Sequence, residues 1–305
     1  MRQTRHFLIG FMLFISSTEI ANAQINNEDK KTAIILPEKT GYAPVNGLQM
    51  YYEIYGKGQP MILMHGGFGS TGMWAAILPE LSKNNQVIAV DLQGHGRTAT
   101  IDRPLRFETL SDDIAGLIKY LGINKPDVMG YSIGGEVTIQ MGIRHGDLVR
   151  KLVVVSAAFK RTGWYPEVRA GLDRIGTASA NMMKMSPQYK TYTQINPKPD
   201  DWPKLHNQMG EMLRLDYDWT EDVKKIKSPI LLVYADADGI SPDHFVEFYK
   251  LLGGGMKDGG LNGSGRSPYA SLAILPGCTH YNIYGSPALV TAVLPFLHGP
   301  GPNIK

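Results

Sequence analysis

The sequence predicts an α/β fold in which a mostly parallel sheet of about eight strands carries helices on both faces. Short apolar runs recur along the chain, and segments with helical spacing or turn signals separate them. Such continuous apolar runs are typical of strands that are buried on both faces of a parallel sheet. The predicted strands cover residues 42–45, 48–55, 61–64, 87–90, 127–129, 152–155, 230–234 and 272–275.

The elements follow one another with short connections. The first two strands form a predicted hairpin, because Asn46-Gly47 is a strong turn signal. In the segment 110–121 apolar residues recur three or four positions apart, and Gly122 stands where a C-terminal helix cap belongs. The predicted helices cover residues 73–81, 110–121, 135–144 and 287–297.

Two stretches interrupt this alternation. Residues 159–227 separate consecutive strands and are predicted to form a helical cap inserted over the strand ends. Methionine and aromatic side chains are abundant there, and they either pack in a core or line a substrate pocket. Residues 253–268 contain seven glycines and are predicted to form a surface excursion, for which a role as an active-site lid stays open.

The first residues have the pattern of a signal peptide spanning 1–23. Arg2 and Arg5 precede an apolar run at 7–15, and Ala21-Asn22-Ala23 matches a cleavage site. The apolar run is about half the roughly 20 residues that a membrane anchor requires. We therefore expect export to the periplasm or the medium, with no membrane association after cleavage, and a flexible leader over 24–40 before the fold.

Composition narrows the classes of partner. The net charge is +3 with acidic and basic residues interspersed, so neither nucleic acid nor an anionic membrane surface is expected to bind. Cys278 is the only cysteine, which excludes an intramolecular disulfide. The expected partner is a small-molecule substrate, and the sequence leaves the oligomeric state open.

A serine nucleophile is indicated by Gly130-Tyr131-Ser132-Ile133-Gly134, which lies between a predicted strand and a predicted helix. This strand-turn-helix corner exposes the serine hydroxyl at the end of the sheet. Serine needs a base to remove its proton, and the base needs a carboxylate to orient it. Asp238 and His280 each follow a predicted strand, and carboxyl ends of parallel strands meet at one edge. Asp236 is the rival acid, expected instead to make hydrogen bonds within its turn.

From about Gly41 to Leu297 the chain resembles α/β-hydrolase-fold enzymes of the esterase, lactonase and cofactor-free perhydrolase kind. The resemblance rests on His65-Gly66-Gly67, Asp91-Leu92-Gln93-Gly94-His95-Gly96-Arg97, Gly130 to Gly135, Asp238-Gly239-Ile240-Ser241-Pro242 and His280. It implies a hydrolase domain over 41–298 with the cap insertion at 159–227. The resemblance further implies that Ser132 is the nucleophile, His280 the general base and Asp238 its orienting acid.

The same resemblance implies an oxyanion hole made by the backbone N–H groups of Ile133 and Gly67, with Phe68 as the alternative to Gly67. Substrate contacts are expected from side chains of the loop after the third strand, of the insertion and of the loop after the last strand, namely Phe68, Met182, Met183, Met185 and Tyr281.

The remaining histidines are expected to have structural or surface positions, and the sequence lacks metal and cofactor motifs. His65 and His95 are expected to fix their glycine-rich loops by hydrogen bonds, whereas His145, His206, His244 and His298 are expected at the surface. No metal-ligand or dinucleotide-binding pattern is present in the sequence, so we expect neither a metal nor a cofactor.

The predicted activity is hydrolysis of a small, hydrophobic carboxylic ester or lactone through an acyl-enzyme on Ser132. A C–C bond hydrolase or a perhydrolase would use the same residues, and a ligand-binding receptor with little turnover is the alternative outside enzymes. The serine argues against haloalkane dehalogenases and epoxide hydrolases, whose corner carries an aspartate.

Overall fold

The computed structural model describes residues 35–299, so the predicted signal peptide and most of the predicted leader lie outside the described residues. An eight-stranded sheet forms the centre of the fold, in the order β1-β2-β4-β3-β5-β6-β7-β8. The strands are β1 Lys39–Val45, β2 Leu48–Tyr55, β3 Gln59–Met64, β4 Asn85–Val90, β5 Asp127–Tyr131, β6 Leu152–Val155, β7 Ile230–Ala237 and β8 Ala270–Thr279.

Strand direction confirms the predicted mostly parallel sheet. Strand β2 is antiparallel to both of its neighbours, and every pair from β4 to β8 is parallel. The carboxyl ends of β3, β5, β6, β7 and β8 therefore lie at one edge of the sheet. Residues that follow these strands are brought to that edge.

Helices cover both faces, as predicted. They are α1 Leu78–Leu81, α2 Phe107–Tyr120, α3 Ile133–Arg144, α4 Pro166–Leu172, α5 Thr177–Met182, α6 Pro187–Ile195, α7 Trp202–Arg214, α8 Thr220–Val223, α9 Pro242–Leu251 and α10 Pro287–His298. Alternate residues of β3 enter different cores: Ile62 packs with α2 and α3, whereas Leu63 packs with α1 and α10. Successive strand side chains point to opposite faces, so a strand buried on both sides is apolar throughout.

Two predicted boundaries differ from the structure. The stretch 73–81 is not one helix but a 3-10 turn at Thr71–Trp74 followed by α1. Pro79 explains the break, because it lacks the N–H group that a continuous helix would require at that point. Strand β1 begins at Lys39, so the last residues of the predicted leader pair with Glu53 and Ile54 of β2.

The insertion between β6 and β7 carries α4 to α8. Its longest helix, α7, buries one face, formed by Trp202, Leu205, His206, Met209 and Met212. These residues recur three or four apart, which is the pattern of an amphipathic helix. Within residues 35–299, no helix has the length and apolar character needed to span a membrane.

The glycine-rich stretch joins α9 to β8. Met256 and Leu261 are exposed there, in agreement with the predicted surface excursion. The stretch leads into Ala270, which pairs with Ile230 at the amino end of β7. It therefore enters the sheet at the edge opposite the carboxyl ends of the strands, and this position does not suit a lid over residues that follow those strands.

Candidate active site

Ser132 occupies a tight corner between β5 and α3. Its backbone has φ 53° and ψ −122°, a conformation that non-glycine residues rarely adopt. Glycine is required on both sides: a Cβ at Gly130 would lie 1.9 Å from the Gly134 carbonyl oxygen, and one at Gly134 would lie 2.5 Å from the Met64 carbonyl oxygen. The strained corner is thus held by close backbone packing.

The structure brings Ser132, His280 and Asp238 together. The His280 Nδ1–H group donates to Asp238 Oδ1 at 3.0 Å, which leaves Nε2 to accept from the Ser132 hydroxyl at 3.2 Å. His280 directly follows β8 and Asp238 directly follows β7. The Asp238 carboxylate is fully buried, so water does not screen its interaction with the imidazole.

Ser156, which no motif singled out, holds the other carboxylate oxygen of Asp238. Its hydroxyl donates to Oδ2 at 2.5 Å, and the Ala235 N–H donates to the same atom at 3.1 Å. Burial opposes ionisation of Asp238, but its hydrogen bonds and the charge of His280 outweigh burial and lower its pKa below the ordinary value. Its position just after the buried strand β6 is the signal that could have identified Ser156.

The expectation that Asp236 makes its hydrogen bonds within its own turn is wrong, because its partners lie in the segment before His280. Its carboxylate accepts the N–H groups of Gly277 at 3.0 Å and Cys278 at 3.2 Å. The β7 to β8 register shifts between Ala235 and Ala237, and such irregularities redirect side chains. Asp236 therefore ties down the segment before His280, whereas Asp238 contacts the imidazole itself.

Backbone N–H groups suited to an oxyanion lie beside Ser132. Ile133 is the first residue of α3, so its N–H has no acceptor in the helix. Within residues 35–299, the N–H groups of Gly67, Phe68 and Ile133 make no hydrogen bond to the protein. A Cβ at Gly66 would lie 3.3 Å from Ser132 Cβ, so this loop packs directly against the serine. The assignment of Gly67 or Phe68 as second donor stays a prediction.

The loop-fixing role expected for His65 and His95 agrees with their contacts. His65 Nδ1 donates to the Gly66 carbonyl at 2.7 Å, and its Nε2 accepts the Leu92 N–H at 3.2 Å. His95 Nδ1 donates to the Gln93 carbonyl at 2.9 Å. Burial lowers the pKa of His65 to about 3 and that of His95 to about 4, so both rings are neutral at neutral pH.

The surface position expected for His206 and His244 is wrong. His206 is fully buried on α7, and His244 is buried where α9 meets Phe159, on whose ring it stacks at 4.3 Å. His244 Nε2 also accepts the Phe159 N–H at 3.2 Å. Both rings fill the contact between the insertion and the strand ends, a tertiary contact that no local pattern reveals.

Two of the expected substrate contacts lie near the serine. Phe68 has φ 58°, and its ring stacks on His206 with centroids 4.2 Å apart. Tyr281 lies 5.5 Å from the His280 ring and lines a groove of about 380 Å³ together with Asp238 and Tyr165. Trp164, from the insertion, approaches the His280 ring at 5.1 Å.

The pocket role expected for Met182 and Met185 is wrong, because these side chains are 73% and 85% exposed. Ala180 is a buried residue of the short helix α5, and Met183, three positions later, lies on the same side and packs against the core. Met182 and Met185 point outward instead. Met209 of α7 is the methionine near the site: its Cε would lie 3.1 Å from a Cβ at Gly67.

Among the described residues, no group of three or more His, Cys, Asp or Glu side chains is arranged to hold a metal ion. The chemistry that the site offers is that of the serine, the imidazole, the carboxylate and the backbone N–H groups.

Part of the chain is similar in sequence to known proteins. A soluble epoxide hydrolase from Corynebacterium is 33% identical over 37% of this chain and 40% of its own length. A 2-hydroxymuconate semialdehyde hydrolase from Pseudomonas is 33% identical over 37% of this chain and 41% of its own length. The chain thus spans less than half the length of these curated relatives.

Solved structures resemble the whole fold. An esterase from Thermogutta terrifontis has a TM-score of 0.65 at 20% identity, covering 85% of this chain and 98% of its own. An enol-lactonase from Burkholderia xenovorans has a TM-score of 0.63 at 23% identity, covering 84% and 99%. The model of the alpha/beta hydrolase family matches residues 61–293, which is more than half of the sequence. The chain therefore belongs to the alpha/beta hydrolase family.

Proposed function

We propose that this protein hydrolyses a small carboxylic ester or lactone through an acyl-enzyme on Ser132. The observation that carries the proposal is the chain of hydrogen bonds from Ser132 Oγ to His280 Nε2 and from His280 Nδ1 to Asp238, at a strained corner beside free backbone N–H groups. The serine at this corner separates the chain from epoxide hydrolases, which need an aspartate there.

The arrangement supports the following reaction. His280 Nε2 takes the Ser132 proton as Oγ attacks the substrate carbonyl, and Asp238 stabilises the resulting imidazolium. The oxyanion accepts hydrogen bonds from Ile133 and from Gly67 or Phe68, an interaction worth about 10² to 10³ in rate per donor. His280 then protonates the leaving alcohol. Water, deprotonated by the same imidazole, attacks the acyl-enzyme and releases the acid.

The substrate class is proposed from the walls of the site. Phe68, Trp164 and Met209 are apolar or aromatic, which favours a small hydrophobic acyl group. The names of the Thermogutta esterase and the Burkholderia enol-lactonase are in keeping with ester or lactone hydrolysis. The Pseudomonas relative, a hydrolase of 2-hydroxymuconate semialdehyde, makes C–C bond hydrolysis the second candidate.

The decisive experiment is a rapid-mixing assay with p-nitrophenyl acetate and p-nitrophenyl butanoate. We expect a burst of p-nitrophenol equal to the enzyme concentration, followed by steady turnover, and loss of both phases in a folded Ser132→Ala variant. Turnover that survives in Ser132→Ala would contradict the proposal. A burst without turnover would identify a receptor-like protein.

A substrate panel separates the remaining alternatives. Short and long p-nitrophenyl esters, acyl-lactones, a ring-cleavage dienoate with a scissile C–C bond, and acetate with hydrogen peroxide should be compared by kcat/KM. The largest value is expected for a short ester or a lactone.

We also propose that the chain is exported and cleaved after Ala23. The support is the pattern of the first residues in the sequence. Mass spectrometry of the protein from cell fractions should give a periplasmic or secreted product that begins at Gln24.

A further inference from the structure

Ser132 and His280 lie on segments that are not neighbours in the sheet. Ser132 directly follows β5 and His280 directly follows β8, and β6 and β7 lie between these two strands. Backbone hydrogen bonds join only adjacent strands, so the sheet links the serine to the imidazole through two intervening strands. A side chain that connects the two segments directly would hold the distance of 3.2 Å between Ser132 Oγ and His280 Nε2 more firmly.

Tyr131 makes such a connection. It is the last residue of β5 and comes directly before Ser132. Its hydroxyl donates to the His280 carbonyl oxygen at 2.6 Å, a bond between residues 149 positions apart in the sequence. The centroids of the Tyr131 and His280 rings are 5.2 Å apart. One side chain thus joins the backbone that carries the serine to the backbone that carries the histidine.

The Tyr131 ring is enclosed by its neighbours. The residue is 5% exposed and belongs to the core that packs with α1 and α10. A Cβ at Gly66 would lie 2.7 Å from the Tyr131 ring, so the ring lies directly against the loop of the proposed second oxyanion donor. The Tyr284 ring also packs against it, with centroids 5.2 Å apart. Close packing restricts the ring to one position and keeps the hydroxyl at the His280 carbonyl.

The hydrogen bond from Tyr131 does not depend on the protonation state of the site. A carbonyl oxygen can only accept, so the tyrosine hydroxyl is the donor. Burial raises the pKa of Tyr131 above its ordinary value of 10.0, and the charge of Asp238 raises it further. The hydroxyl therefore keeps its proton at every pH at which a histidine base works, and the bond persists while protons move between Ser132 and His280.

The backbone of His280 is held on both sides. On the side that enters the residue, Asp236 accepts the N–H groups of Gly277 and Cys278 at 3.0 and 3.2 Å. On the side that leaves it, the Tyr131 hydroxyl holds the carbonyl of the next peptide group. The imidazole extends from the backbone between these two restraints, so a shift of the His280 carbonyl would move Nε2 away from Ser132.

We propose that Tyr131 is a positioning residue, whose hydroxyl holds the His280 backbone so that the imidazole lies at hydrogen-bonding distance from Ser132. The inference rests on the proposed function for the reaction in which His280 acts. In that reaction the imidazole serves both acylation and deacylation, so loss of the hydroxyl slows both steps and leaves substrate binding unchanged. A displacement of about 1 Å at a reacting group can lower the rate by about 10²-fold.

The first test removes the hydroxyl and keeps the ring. For folded Tyr131→Phe we expect kcat on p-nitrophenyl butanoate to fall by about 10- to 100-fold while KM changes by less than about twofold. The matched control is Tyr192→Phe, because Tyr192 is a buried tyrosine of the insertion whose hydroxyl donates to the Lys198 carbonyl at 3.4 Å. The control should keep the wild-type kcat. An unchanged kcat in Tyr131→Phe, or a rise in KM alone, would overturn the proposal.

A double-mutant cycle shows whether Tyr131 acts through the histidine. The residual hydrolysis of a His280→Ala variant depends on binding and on the oxyanion donors, without the imidazole. If Tyr131 acts by placing His280, adding Tyr131→Phe to His280→Ala should change this residual rate by less than about twofold. An equal loss in both backgrounds would mean that Tyr131 supports the Ser132 corner or the Gly66 loop instead, and the proposal would fall.

A spectroscopic test does not depend on turnover. The proton on His280 Nδ1, bonded to Asp238, gives an NMR signal that is identified by its loss in folded His280→Ala. We expect this proton to exchange with water several-fold faster in Tyr131→Phe than in the wild type, and at the wild-type rate in Tyr192→Phe. Equal exchange in Tyr131→Phe and the wild type would overturn the proposal. Faster exchange in a protein that hydrolyses no ester would overturn the proposed function and leave the hold of Tyr131 on His280 standing.

Discussion

Asp236 and Asp238 are two residues apart, yet their hydrogen bonds separate their roles. Asp238 holds the imidazole that faces Ser132, whereas Asp236 accepts two backbone N–H groups of the segment before His280. The first interaction sets the tautomer of the proposed base, His280, and the second fixes the path of the loop before it. The two aspartates should therefore respond differently to the same amide substitution.

For Asp238→Asn we expect kcat to fall by about 10⁴, because an amide would present the wrong histidine tautomer to the serine. For Asp236→Asn we expect a loss of less than about tenfold, since the amide keeps one acceptor oxygen for the loop. Initial rates on p-nitrophenyl butanoate measure both. Equal, mild losses would contradict the assignment of Asp238.

Glu136, in the first turn of α3, is a buried carboxyl near the site. Its Oε1 accepts the Ala158 N–H at 3.3 Å, while its buried Oε2 has no partner among the described residues. Burial, together with the charge of Asp238, raises the pKa of Glu136 well above its ordinary value of 4.5. The native protein therefore keeps this group protonated where the unfolded chain has released the proton.

This difference predicts how stability depends on pH. Above about 4.5 the unfolded state binds fewer protons than the native state at this position, so the contribution of Glu136 to stability falls as pH rises. Glu136→Gln removes the titration, so the variant should gain stability relative to wild type as the pH rises above about 5. Urea unfolding across that range measures the gain. The exposed Glu221→Gln is the control and should show no trend; a flat difference for Glu136→Gln would contradict the raised pKa.

At the scale of the elements, backbone strain is concentrated where strands end. Phe68, Ser132 and Ser156 have φ of 58°, 53° and 48°, and they lie after the neighbouring strands β3, β5 and β6. Each such residue costs about 1 to 3 kcal/mol and persists only when its surroundings hold it. Here the three residues supply a side chain of the loop beside Ser132, the proposed nucleophile and the hydroxyl that holds Asp238.

At the amino ends of the parallel strands, opposite the candidate site, a buried cation contacts the end of α10. Lys151, just before β6, is 2% exposed, and its Nζ donates to the carbonyl oxygens of Phe296, Leu297 and Gly299. These are carbonyls of the last turn of α10 and the residue after it, which a helix leaves without partners. The positive charge also complements the negative end of the helix.

Replacing Lys151 with methionine should therefore destabilise the fold without touching the site. We expect a loss of about 1 to 3 kcal/mol, because buried carbonyl groups lose their donor. The exposed Lys225, which pairs with Asp222, is the matched control, and Lys225→Met should leave the free energy of unfolding nearly unchanged. Urea unfolding measures both, and similar losses would show that the buried contacts add nothing.

Across the whole molecule, the sequence predicted those structural features that depend only on residues close together in the chain. Continuous apolar runs marked the strands because β3 to β7 are buried on both faces, and the glycines around Ser132 marked the corner because no side chain fits there. Asp238 and His280 could be placed because parallel strands end at one edge.

Contacts between distant segments could not be read in that way. The sequence does not show that Ser156 contacts Asp238, because this contact forms only when β6 and β7 pair. The contact of His206 with Phe68 likewise forms only when α7 packs over that residue. The methionines show the same limit. In the short helix α5, too few turns exist for a period to reveal its buried face, whereas the longer α7 has a readable face that carries Met209.

The position of the insertion over the strand ends leads to the last prediction, that Met209 and not Met182 sets the preferred length of the acyl chain. Met209 is 1% exposed and lies against Gly67, whereas Met182 is 73% exposed. Shortening an apolar wall changes discrimination by about 1 to 3 kcal/mol, so Met209→Ala should shift the preference by roughly 10- to 200-fold towards longer chains. Met182→Ala should leave it unchanged. The measurement is kcat/KM for p-nitrophenyl esters from acetate to octanoate, with thermal unfolding of each variant beside it. If Met209→Ala lowers the unfolding temperature while the length profile stays that of the wild type, Met209 packs the insertion onto the core and does not contact the substrate.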